Sequence, residues 1–145
     1  MPANISWTGG AGTLNWDTNT NWSTNTVPTI NDTVTISVTV SGTISISGSS
    51  DGVLSLNDTS ASLSIASGGS LSIAASAATS TFGKNVTVQS GGTLAVGAGA
   101  SMIISAGMTL TDNGTLNLNT GDTVTFGYAY QATTQIVVGS GGSLS

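Results

Sequence analysis

The sequence predicts an all-β fold, a right-handed parallel β-helix (β-solenoid) of about 22–28 residues per coil, the period range of a solenoid repeat, with an N-terminal tryptophan-rich cap. Three observations predict it. Apolar-x-apolar triplets recur mostly every eight to ten residues after Val34, among them Leu63-Ser64-Ile65, Leu71-Ser72-Ile73, Val86-Thr87-Val88 and Leu94-Ala95-Val96. A turn-turn-hydroxyl-Leu pattern is superimposed on them at Gly68-Gly69-Ser70-Leu71, Gly91-Gly92-Thr93-Leu94, Asn113-Gly114-Thr115-Leu116 and Gly141-Gly142-Ser143-Leu144. No stretch carries a sustained 3.6-residue apolar period, which argues against helix. A period in the low twenties holding three short strands is the signature of one solenoid coil.

Residues 1–32 read as a capping segment. They contain all three tryptophans, Trp7, Trp16 and Trp22, and both prolines, with little periodicity. The first coil of a solenoid exposes apolar side chains and unpaired strand edges, which invite aggregation unless covered, and indoles are bulky enough to cover them. The competing reading is that exposed indole faces stack on sugar rings, making Trp7, Trp16 and Trp22 candidate ligand or partner contacts.

Residues 33–145 read as coils. Val34, Ile36, Val38 and Val40 alternate with Thr35, Ser37 and Thr39, as in a strand with one buried face. Gly42-Thr43-Ile44 reads as an earlier copy of the leucine pattern, one period before Leu71. Ile44-Ser45-Ile46 and Leu54-Ser55-Leu56 follow, and the series runs on through Met102-Ile103-Ile104, Met108-Thr109-Leu110, Leu116-Asn117-Leu118, Val124-Thr125-Phe126 and Ile136-Val137-Val138. Each triplet turns two side chains inward and one outward, while Gly, Asn or Asp supplies the backbone angles of the corners. Coils stacked at about 4.8 Å pair their backbone groups with the coils above and below.

Two longer steps interrupt the series and predict protruding loops. The first runs from Ile73 to Val86 and contains Ala74 to Ser80 and Thr81-Phe82-Gly83-Lys84. The second, between Phe126 and Ile136, carries Tyr128 and Tyr130, which with Phe126 form a candidate contact patch for a sugar, a partner or a neighbouring rod. The last residues, Gly141 to Ser145, read as the opening of a further repeat, so the rod is expected to continue in a longer protein or to stack end to end.

Composition narrows the function. Charged residues make up 5% of 145, against roughly 25% in an ordinary soluble domain, and comprise six Asp and Lys84. Surface polarity must come from Ser, Thr and Asn, a style suited to extracellular repeat proteins. A net charge of -5 and a pI near 4.1 argue against nucleic acid, whose phosphates need clustered Lys and Arg. No cysteine is present, which removes disulfides and thiolate metal sites. No apolar run is long enough to span a membrane, and Met1-Pro2-Ala3-Asn4 lacks the pattern of a secretory leader.

Paired carboxylates cleave glycosides in other proteins. Here Asp51-Gly52, Asp112-Asn113-Gly114 and Gly121-Asp122 fall at expected corners, where Asp is a turn former. Without Arg or His there is little to neutralise a uronate or shuttle a proton, so no catalytic residue and no enzymatic activity are expected. Gly97-Ala98-Gly99-Ala100 is not followed by a helix that would aim amides at a phosphate. No cofactor is expected; calcium is the one ion that Asp and backbone carbonyls would suit, and no calcium motif occurs.

The order Trp-x-Gly-Gly from Trp7, Asn21-Trp22, Val27-Pro28 and Asp32-x-Val-x-Ile, followed by Gly-Gly-Thr-Leu repeats, resembles the N-terminal part of large bacterial secreted β-helix surface proteins. These include autotransporter passengers, filamentous-haemagglutinin-like adhesins and giant type I-secreted adhesins. The resemblance implies export, display at the bacterial cell surface and an adhesive or matrix role, and it identifies no catalytic residue. The expected function is therefore a non-enzymatic structural or adhesive segment. Its expected partners are further copies of itself, a host surface or a glycan. A carbohydrate-binding or polysaccharide-processing module is the alternative.

Overall fold

The computed structural model describes residues 2–48, 50–127, 135–139 and 142–144. Strand β1 (Asn4–Ser6) and one 3-10 turn (Asn19–Asn21) lie in the first 32 residues. The chain then repeats a three-strand unit: β2 (Thr33–Ile36), β3 (Thr43–Ile46) and β4 (Asp51–Val53); β5 (Ser55–Asp58), β6 (Ser62–Ile65) and β7 (Ser70–Ile73); β8 (Thr79–Phe82), β9 (Val86–Val88) and β10 (Thr93–Val96); β11 (Ser101–Ile104), β12 (Thr109–Asp112) and β13 (Thr115–Asn117). Strands β14 (Thr123–Phe126), β15 (Gln135–Val138) and β16 (Ser143–Leu144) follow in the same order.

From β2 onward every third strand stacks in parallel, and β1 joins β2, giving three sheets: β1-β2-β5-β8-β11-β14, β3-β6-β9-β12-β15 and β4-β7-β10-β13-β16. The molecule is a parallel β-solenoid with four complete coils among the described residues. No helix of the described residues is long and apolar enough to cross a membrane. Register sets the coil length: Thr33 faces Ser55, Thr79 faces Ser101 and Ser101 faces Thr123, the period in the low twenties that the sequence carries. Leu71, Leu94, Leu116 and Leu144 form one column of the third sheet, as their repeat predicts.

The inward positions form one continuous core from Ile5 to Leu116. In β6, β7, β10, β11 and β12 the second and fourth residues are buried and the first and third half-buried. Burial of one Leu or Ile side chain stabilises by about 1.5–3 kcal/mol. Each coil contributes several such residues but can bury them only against its neighbours.

Five corners use one turn. Gly69, Gly92, Ala100, Met108 and Asp122 each donate their backbone N–H to the carbonyl three residues earlier. The third residue of each turn is a glycine at φ between 77° and 85°, the angle a type II turn requires. Gly97-Ala98-Gly99-Ala100 is thus one of these corners.

Several boundaries differ from expectation. Strand β2 stops at Ile36 because the chain turns there towards the second sheet; Val38 is 43% exposed and Val40 half-buried. Ile44 is not an earlier member of the leucine column, since Thr43–Ile46 pairs with Ser62–Ile65 in the second sheet. The third sheet instead begins with Asp51–Val53, where the sequence predicts a corner at Asp51-Gly52. Leu54 is the link between β4 and β5, its N–H held by the Asp32 carbonyl, so Leu54-Ser55-Leu56 is not one strand. The first expected loop contains a strand: Thr79–Phe82 is β8, with Ser80 and Phe82 buried, between corners at residues 74–78 and 83–85. There the Ser80 side chain replaces the expected apolar residue, and its Oγ accepts the Leu56 N–H at 3.0 Å.

Candidate functional site

The N-terminal segment departs most from a plain solenoid, and its centre is a cluster of indoles. Trp22 meets Trp7 edge to face at 5.0 Å and 88°, and Trp16 at 4.6 Å and 73°. Its Nε1 donates to the Trp16 carbonyl at 2.8 Å. All three rings are 0–2% exposed. The expectation of exposed indole faces at Trp7, Trp16 and Trp22 is therefore corrected: the rings are buried against one another and the core, and only Trp7 reaches the cleft described below.

Asn21 fastens this segment. Its Nδ2 donates to the Thr13 carbonyl and Oγ1, both at 3.1 Å, and to the Asn15 carbonyl at 2.9 Å. Its Oδ1 accepts the Ala11 N–H at 3.0 Å, and its own carbonyl accepts the N–H groups of Thr8 and Gly9 and the Thr8 hydroxyl. A buried amide bonded through both its nitrogen and its oxygen holds a loop that has no strand ladder of its own.

The segment then covers the leading edge of each sheet. Strand β1 pairs with β2 in the first. In the second, Ser45 of β3 donates to the Leu14 carbonyl at 2.7 Å, and its carbonyl accepts the Trp16 N–H at 2.9 Å. Over the third, the Ile30 side chain sits on Gly52 so closely that a Cβ there would lie 2.9 Å from Ile30 Cδ1.

A cleft of about 250 Å³ opens beside this junction. It exists because the first coil turns from its first sheet to its second over residues 37–42, whereas later coils use 59–61, 83–85 and 105–108. Trp7, Thr8, Thr13 and Leu14 of the N-terminal segment and Val38, Thr39 and Ser41 of the first coil line it. Leu14 and Val38 are 37% and 43% exposed, two of the few large apolar side chains that face solvent among the described residues. Gly42, at φ 122°, lets the corner close on Leu14, whose Cδ1 would lie 2.6 Å from a Cβ there. Apolar walls edged by hydroxyls, without a charge, suit a neutral amphipathic ligand.

The family whose description is "Domain of unknown function (DUF8693)" matches residues 6–134. The chain belongs to this family. The matched span takes in the tryptophan cluster, the cleft and the coils alike, so the DUF8693 unit comprises the cap together with its rod. No curated protein and no solved structure matches the chain.

Within this DUF8693 chain the acids take three kinds of place. Asp17, Asp32 and Asp122 serve turns and links. Asp32 accepts Thr29 Oγ1 at 2.7 Å, the Thr29 N–H at 2.9 Å and the Ala3 N–H at 3.2 Å. The Thr29 hydroxyl above all holds its carboxyl below the usual carboxylate range. Asp58 and Asp112 close strands β5 and β12 with buried side chains. Asp58 Oδ1 accepts the Ser60 and Ala61 N–H groups at 3.0 and 2.9 Å, while its Oδ2 has no partner. Burial pushes the Asp58 carboxyl up, against the opposing pull of those amides and of Lys84.

Asp51 is the third kind and corrects the turn assignment. It lies within β4, 8% exposed, because the third sheet begins there. Its carboxyl is pushed up to about 7, by burial first and then by the Asp17 carboxyl beside it. No cluster of three or more metal-ligating His, Cys, Asp or Glu side chains occurs among the described residues. Phe126 ends β14 and is 43% exposed; Tyr128 and Tyr130, the rest of the expected aromatic patch, lie outside the described residues. Sequence reasoning missed Asn21, the Asp17–Asp51 pair and the cleft. The signal available for the first was the polar, aperiodic run Thr13 to Asn21 between tryptophans, which needs a buried amide to hold it.

Proposed function

We propose that this chain is a non-enzymatic structural or adhesive β-solenoid segment of an extracellular bacterial surface, matrix or fibre-forming protein. The observation that carries the reading is the surface of the rod. Outward hydroxyls stack in register over several coils, Ser45, Ser64, Thr87 and Thr111 on the second sheet and Thr79, Ser101 and Thr123 on the first. Such ladders are uncharged, regular and long in one direction. They suit lateral contact with another copy or a glycan-coated surface better than turnover of a small molecule. The acids support the non-enzymatic reading, because most of them serve turns, links or strand ends.

The reading is tested by light scattering and electron microscopy of the purified chain over a wide concentration range, together with adhesion to glycan-coated and host-cell surfaces. Concentration-dependent rods or bundles, or surface adhesion, are the expected results. A chain that stays monomeric throughout and adheres to nothing refutes it.

A second reading, a carbohydrate-binding module, is favoured by the cleft, whose Leu14 and Val38 side chains and surrounding hydroxyls match the two faces of a neutral pyranose. A glycan array distinguishes the two: binding by the parent that is lost in Leu14→Asp supports the module, and no binding by the parent eliminates it.

A further inference from the structure

We propose that Asp17 and Asp51 together bind one divalent cation of the calcium class, which clasps the N-terminal cap to the first coil. The two carboxylates come from different parts of the chain, Asp17 from the cap and Asp51 from β4, and converge on the corner at Gly48. A Cβ on Gly48 would lie 2.6 Å from Asp17 Oδ1 and 2.5 Å from Asp51 Oδ2. A glycine at 48 therefore lets both oxygens approach this corner, where any side chain would displace them. Asp17 is steadied for this by its other oxygen, which accepts the Ser47 hydroxyl at 2.7 Å and the Ser47 N–H at 3.3 Å. Asp51 is more than nine-tenths buried, and its Oδ2 is a buried oxygen without a hydrogen-bond partner.

Two facing carboxylates need a positive charge between them, or one must take up a proton. The chain supplies no cation here: its one lysine, Lys84, exerts its pull on Asp58. The influences on the Asp51 carboxyl are burial, Asp17 and the Gly48 backbone. A hard divalent ion with oxygen ligands and water completing its shell answers that imbalance, and calcium tolerates the irregular geometry of a corner. Proton and cation compete for the same oxygens, so binding weakens in acid.

The test is thermal unfolding of the chelator-treated chain at pH 8, with and without calcium at about 10 mM, roughly a hundredfold above the ~10⁻⁴ M affinity typical of extracellular modules. The midpoint should rise by about 5–10 °C. The rise should shrink at pH 5.5 and vanish in Asp51→Asn and in Asp17→Asn, but persist in Asp122→Asn. Equilibrium dialysis of the parent should give one calcium per chain, a measurement that stands even if a variant fails to fold. No calcium shift at pH 8, or the same shift in both Asn variants, overturns the proposal. A midpoint that rises on acidification without any calcium response also overturns it, by showing a shared proton in place of the ion.

Discussion

Replacing Asn21 by Ala tests whether one buried amide holds the cap. The substitution removes the side-chain hydrogen bonds to the Thr13 carbonyl and Oγ1, the Asn15 carbonyl and the Ala11 N–H. The two Nδ2 hydrogens share three acceptors, so these amount to about three bonds at about 0.5–1.5 kcal/mol net each, roughly 1.5–4.5 kcal/mol. Thr13 and Asn15 are exposed residues, so water takes up their freed groups and the lower part of that range applies, about 2–3 kcal/mol. In a chain of this size the midpoint should fall by about 5–10 °C. All three tryptophans lie in the cap, so their fluorescence follows the cap while far-ultraviolet circular dichroism follows the coils. Fluorescence should lose its transition at lower temperature than the dichroism does. Asn21→Asp sharpens the test, because a carboxylate would face oxygens that now accept from Nδ2. It should be worse than Ala at pH 7 and improve on acidification. A loss for Ala smaller than that of a single net hydrogen bond, about 0.5 kcal/mol, refutes the reasoning. So does an Asp variant as stable as the parent at pH 7.

Further outcomes follow from the coils. Gly114→Ala puts a Cβ against the Gln89 and Gly92 carbonyl oxygens and should destabilise by about 3 kcal/mol in urea unfolding. Gly68→Ala meets open space and should lose only the ~1–2 kcal/mol of a left-handed backbone at φ 79°. Ser80→Ala strands the Leu56 N–H in the core and should lose about 1–3 kcal/mol, where a surface serine would lose almost nothing. Asp58→Asn should raise the unfolding midpoint at pH 8. Burial raises the folded pKa of Asp58, so its contribution to stability is fully present below the unfolded value and is lost as pH rises through the folded one. The Asn side chain escapes that loss, and the gain should disappear as pH falls towards 4.

The periodic part of the molecule was readable because each coil repeats the same local requirement. Gly91-Gly92-Thr93-Leu94 contains a corner with a positive φ, an outward hydroxyl and an inward leucine, and all three follow from residue type. Asp51–Val53 was not readable, since a buried Asp and a Gly occupy places where the next coil puts Leu71 and Ser72. Ser80 hid β8 in the same way, by filling a core position with a hydroxyl that bonds to the adjacent strand. Val38 misled in the opposite sense. Alternation alone cannot tell a strand from an extended corner, and the corner exists because the cap loop packs there. The clustering of the tryptophans was visible, but their burial depends on Asn21 and on contacts from Leu14 to Ser45 that no local pattern encodes.

The parallel stacking has a mechanical consequence. Backbone bonds between coils run along the rod, so tension between its ends loads the coils in series, and they peel away singly. A released coil extends to about 75 Å after occupying about 5 Å of rod. A tether built this way lengthens in steps under load while the remaining coils keep their shape, so it gives way gradually where a rigid strut would snap.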